Sequence, residues 1–172
     1  SNPSYYQDNL SYLLDEFRRI DFLLRAATVR WRHLLAQHKD PGDWGMIKVD
    51  HAEIDAYLDE DTTWVAPGEP PAKIRRALEK IWRAASKKRD IIDGRVNENS
   101  AIERGDLRLP KLKEHYNLTA FERDVLLVCL YGELDDRYRR LMAYLQDDVY
   151  RTQPTIELLL NVMPAQLYNG TS

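Results

Sequence analysis

"LSYLLDEFRRIDFLLRAATVRWRHLL", residues 10–35, decides the fold. Its apolar residues Leu10, Leu13, Phe17, Ile20, Leu24, Ala27, Trp31 and Leu34 recur at alternating steps of three and four. That spacing keeps one stripe of a helix facing a partner. No Pro or Gly interrupts the run between Pro3 and Pro41, so the pattern predicts one long N-terminal helix. Phe22 and Val29 add a thinner second apolar edge, which favours packing within a bundle over an isolated two-stranded coil.

The segments downstream extend the same reading. "DPGDWG" (40–45) carries turn residues that stop the helix, and "MIKV" (46–49) reads as a minor strand at most. "DHAEIDAYLDED" (50–61) reads as a short helix with Asp50 as N-cap and Glu53 three residues on. A Pro-rich linker covers residues 64–71. The next helix has an apolar face of Ile74, Ala77, Leu78, Ile81, Ala85 and Ile92, and Gly94 or "GRVNENS" is expected to break or end it.

After a short element (107–118), Thr119 and Glu122 form a capping box. The helix they start is apolar nearly all round and is expected at the centre of the core. Asp135 or Asp136 caps a further helix with Tyr138, Leu141, Met142 and Leu145 inward. The last helix begins near Pro154 and is expected to bury Ile156, Leu159, Leu160 and Met163. The fold class is therefore mainly α, a helical bundle. Its expected organisation is 1–63 (long helix plus short helical element), the linker 64–71, and a helical subdomain 72–172 sharing one core with the first part.

Composition removes several function classes. The 172 residues are 44% hydrophobic with 7 Gly, enough for a core and too few glycines for a turn-rich β protein. A net charge of −3 gives no global attraction to nucleic acid or anionic membrane. No apolar run reaches the ~18 residues that a membrane helix needs. The single cysteine, Cys129, allows no internal disulfide, is expected as a small buried hydrophobe, and fits a reducing, cytoplasmic setting. The chain begins "SNPS" without Met or signal-peptide pattern, so a piece of a longer protein is expected.

Candidate chemistry is sparse. His33, His38, His51 and His115 make no i, i+4 pair, and no HExxH or Cys/His pattern occurs. GxxxxGK[ST], GxGxxG and GxSxG are all absent, so this chain is expected to hold no cofactor and no metal and to have no catalytic residue.

Two features remain. "AKIRRALEKIWRAASKKR" (72–89) has eight Lys or Arg against one acid, Glu79. Arg76, Lys80, Arg83 and Lys87 fall on one stripe opposite the apolar face. The stripe reads as a partner-docking or phosphate-contacting surface, or as a solvated face, or as one paired with the acidic 50–61 stretch. It lacks the interleaved aromatics that stack bases.

The second is "YLQDDVYRTQPT" (144–155), with adjacent Asp147 and Asp148. Such a pair can hold a metal or divide acid and base roles in a hydrolase. On a helix, however, neighbours diverge by about 100° and cannot share one ion. Thr152, Gln153 and Pro154 read as a helix-start sequence, so the aspartates are expected in a structural corner with Thr152 and Pro154. There they would accept backbone N–H bonds and favour a positive helix end.

"FERDVLL", "LDDRY", "AYLQDD" and "PT" before an apolar helix, within residues 118–163, resemble the segment preceding the motor core in a group of bacterial and archaeal AAA+ ATPases. Some members of that group accompany phage-tail-like contractile injection systems. The resemblance implies a helical, winged-helix-like N-terminal domain that recruits or couples a protein partner or substrate. It also implies a downstream ATPase that binds ATP and Mg as a homo-hexamer. The Walker motifs of that family lie beyond this segment, so none of its nucleotide-binding residues maps onto this chain. A nucleic-acid-binding helical module that uses the basic helix 72–89 is the alternative.

Overall fold

The computed structural model describes residues 4–37, 70–103 and 106–168. Among these, the regular elements are all helical, so the fold is mainly α. They are α1 (Asn9–Gln37), α2 (Ala72–Ala101), α3 (Arg108–Tyr116), α4 (Ala120–Leu134), α5 (Asp136–Leu145) and α6 (Ile156–Val162), followed by a 3-10 turn at Ala165–Leu167. The strand and short helix expected over 46–61, and linker residues 64–69, lie outside the described residues.

α1 is the axis of the bundle, and α2, α4, α5 and α6 all pack against it. Its predicted seam supplies Phe17, Ile20, Leu24 and Ala27 to the main core, where Ala85, Leu127, Val128, Met142, Leu145, Leu158, Leu159, Val162 and Met163 join them. Leu10, the first residue of that seam, is largely exposed. A second seam beside it, Tyr12, Glu16, Arg19, Leu23 and Ala26, is also buried. α2, α4, α5 and α6 together thus enclose α1 more fully than one stripe requires.

α2 does not stop at Gly94. Ile92 and Asn99 are buried on either side of it, and Arg95 is ion-paired. These contacts outweigh the ~1 kcal/mol that glycine costs a helix interior. Asn99 clamps the N-terminal arm: its Oδ1 accepts from Tyr6 N at 2.7 Å and its Nδ2 donates to Tyr6 O at 2.8 Å. Tyr6, Tyr12, Ile92 and Leu107 form a second, smaller core beside this clamp.

Four sequence expectations change in α4 and α6. α4 carries the capping box at Thr119 and Glu122, and buries Leu127 and Val128 completely. Its other face, Leu126, Leu130 and Leu134, is exposed, and so is Cys129, because α4 lies at the edge of the bundle. α6 buries Leu158, Leu159, Val162 and Met163, whereas Ile156 and Leu160 point outward. Its N-cap is Thr155, whose hydroxyl accepts from Leu158 N, and not Thr152.

Candidate partner interface

The exposed surface of α2 is built on charges that point inward. Lys88 Nζ and Arg95 Nη1 reach Asp15 on α1 at 2.8 and 2.9 Å, and Tyr6 OH donates to the same carboxylate at 3.1 Å. Arg89 Nη2 reaches Asp124 on α4 at 2.7 Å. Asp124 also accepts from Arg19 and from Tyr168 OH, and Glu16 accepts from Arg19 Nε at 2.7 Å and from Tyr12 OH at 3.0 Å. A buried ionic layer therefore crosses α1, α2 and α4.

Electrostatics in this layer follow from its partners. Burial alone would push the Asp124 carboxyl up, but Arg19, Arg123 and Arg89 hold it below the ordinary value. Burial also disfavours the Arg19 cation, yet Glu16 and Asp124 outweigh it and push its pKa up. Asp15 is likewise depressed: Lys88 overcomes its burial, with help from Tyr6 and Arg18. The layer locks α2 in rotation about its own axis.

With that rotation set, Arg76, Lys80, Arg83 and Lys87 stand exposed on the face away from α1. None has an ion-pair partner among the described residues. Like charges one helix turn apart repel by roughly 0.2–0.5 kcal/mol per pair. The acidic 50–61 stretch lies outside the described residues. Sequence reading found this outer stripe but missed the inner basic edge of Lys88, Arg89 and Arg95. It also missed the acids Asp15, Glu16 and Asp124 that receive it. The available signal was the step of four and three, Tyr12, Glu16, Arg19 and Leu23, running beside the apolar seam.

The corner at 147–154 has a different chemistry. Asp147 adopts a left-handed conformation, φ 51°, just past α5. Asp148 N donates to Ala143 O at 3.1 Å and Asp147 N to Tyr144 O at 3.3 Å, the paired bonds that close a helix C-terminus. Asp148 Oδ1 accepts from Tyr150 N at 2.9 Å, and its Oδ2 lies 3.3 Å from Arg151 Nε. These carboxylates thus sit at the negative end of α5, not at a positive helix end as expected. Thr152 N donates to Tyr150 O within the same corner, and Pro154 leads into the α6 cap. Among the described residues no group of three or more His, Cys, Asp or Glu side chains is placed to hold a metal. No described helix is long and apolar enough to cross a membrane.

A family model described as "Winged helix domain, variant" matches residues 2–167. No curated protein matches the chain. No solved structure matches it either.

Proposed function

The chain belongs to the variant winged-helix domain family, and from that premise we propose that it is a non-catalytic accessory domain that docks a protein partner or substrate for a downstream AAA+ ATPase. Winged-helix domains serve as platforms for nucleic acid or protein, and the sequence resemblance at 118–163 favours the second. The observation that carries the reading is the row of Arg76, Lys80, Arg83 and Lys87. Four cations stand exposed on one face of a helix whose other face is fixed by buried ion pairs. A rigid cationic row is suited to an acidic protein surface, where complementary charge speeds encounter and sets register. In this reading ATP, Mg and the homo-hexameric assembly belong to the motor, not to this segment.

The test uses the full-length protein. A GxxxxGK[ST] motif should follow residue 172 in the reading frame. Replacing Arg76, Lys80, Arg83 and Lys87 by Glu should leave basal ATPase unchanged and abolish its stimulation by the partner. Absence of the downstream motif, or full stimulation of the quadruple variant, would sink the proposal.

The same four cations support a second reading, contact with nucleic-acid phosphates. If all four meet phosphates, log K for duplex DNA should fall against log salt with a slope of about −3.6. The charge-reversed variant should then lose binding. Affinity that ignores salt removes this alternative.

A further inference from the structure

We propose that a groove between the C-terminal half of α1 and α6 binds an acidic amphipathic helix of a protein partner, at a surface separate from the basic row of α2. The groove encloses about 540 Å³. One wall is Trp31 and Leu34 of α1, and the other is Ile156 and Leu160 of α6, one helical turn apart. Ile156 is 78% exposed and Leu160 55%, although neighbouring Leu158 and Leu159 are buried in the core. This outward apolar edge stands outside the core that the described residues form. It presents the anchor sites that an i, i+3/i+4 helix face fills.

Charge selects the occupant. Arg30 is partly buried in the groove wall, and its Nη1 donates to the carbonyl of Asn161 at 3.1 Å, but no carboxylate pairs with it among the described residues. Burial accordingly pushes its pKa down. Arg151, the other arginine among the described lining residues, already lies beside Asp148, and Glu157 is the one acid among them. Among the described residues Arg30 therefore has no counter-charge of the kind an acidic helix would bring. Two further exposed apolar side chains stand next to a lining residue in the chain. Val149 and Tyr150, 80% and 92% exposed, precede Arg151 directly. Exposed apolar side chains along the groove and beside it in the chain fit a macromolecular segment better than a small ligand.

The probe is a fluorescein-labelled helical peptide with leucines at i, i+3, i+4 and i+7 and glutamates elsewhere, beside a copy with lysines in place of the glutamates. Anisotropy with the 172-residue chain should show saturable binding of the acidic peptide and at least tenfold weaker binding of the basic one. Ile156→Asp should weaken the acidic peptide at least tenfold without lowering the melting temperature, because the side chain is exposed. Arg30→Gln should weaken it severalfold and reduce its salt dependence. Charge reversal of Arg76, Lys80, Arg83 and Lys87 should change nothing, which separates this surface from the α2 row. The proposal is overturned by no saturable binding up to millimolar peptide, by equal binding of the basic peptide, or by an unaffected Ile156→Asp variant. Self-association lost in Ile156→Asp would assign the groove to a second copy and overturn it too. So would binding that appears only after Ile54→Asp and Leu58→Asp, since the occupant would then be this chain's own acidic stretch.

Discussion

Arg19 and Asp124, 105 residues apart in sequence, meet through two parallel hydrogen bonds, Nη1 to Oδ2 at 2.9 Å and Nη2 to Oδ1 at 2.6 Å. Both side chains are almost wholly withdrawn from solvent. The fork geometry of a guanidinium on a carboxylate is the arrangement in which a buried pair best recovers its desolvation cost. It joins the axis of the bundle to α4.

Removal of one partner should therefore be severe and unequal. Asp124→Asn leaves Arg19 and Arg89 without their shared counter-charge and should cost about 3–5 kcal/mol. Arg19→Met should cost more, since it takes the shared cation from two buried carboxylates, and Asp124 keeps Arg89 at 2.7 Å whereas Glu16 keeps only Arg123 at 3.9 Å among the described residues. An apolar pair, Arg19→Met with Asp124→Leu, should recover part of the loss. Urea denaturation of the three variants measures this. Equal losses for the two single variants would contradict the sharing of Arg19 between Glu16 and Asp124.

Stability should depend on acid in one direction. Asp15 and Asp124 have folded pKa values below the ordinary carboxylate value. Near pH 4 the unfolded chain therefore binds more protons than the folded one, and stability rises with pH there. The contribution is complete above the unfolded value of about 3.9 and is lost as pH falls through it toward the depressed values. Urea midpoints measured from pH 7 down to pH 2 should fall below about pH 5. Asp15→Asn should lower the neutral plateau and flatten the slope, and an unchanged slope would refute the assignment.

Gly94 offers a gain. A methyl group there would meet no atom within 4 Å, on a helix that continues on both sides. Gly94→Ala should raise stability by about 0.5–1 kcal/mol, because alanine loses less backbone freedom on folding. A higher melting temperature with unchanged helicity by circular dichroism is the expected result. A lower one would mean that the glycine serves a close approach in an assembly.

Asp147 offers another. Its left-handed backbone is the conformation that glycine adopts without strain, and its charge sits at the negative end of α5. Asp147→Gly should stabilise by roughly 0.5–1 kcal/mol. Asp148→Ala should instead destabilise by about 0.5–1.5 kcal/mol through loss of its bond from Tyr150 N. Opposite shifts of the two melting curves check the corner. Two shifts of the same sign would require another role for one aspartate.

Local rules by themselves determined much of this protein. The step of three and four in α1, the Thr119–Glu122 box, the Asp135 cap and the cationic row of α2 all depend on residues within a few positions of each other. Their geometry is set by the helix itself. Tertiary contact decided the rest. Gly94 stays helical because Ile92, Arg95 and Asn99 are held by α1 and the N-terminal arm, contacts that helix propensity does not contain. The inward turn of Asp15, Glu16 and Arg19 depends on cations and acids 73 to 105 residues away, Lys88 and Asp124 among them. A charge that sequence pattern assigns to solvent is buried only when its partner arrives from another helix. Ile156 and Leu160 depart from the sequence expectation for the converse reason. On a helix of seven residues, two overlapping apolar faces compete, and packing against α1 selects the one carrying Leu158, Leu159 and Val162. That choice leaves the other face to line the groove.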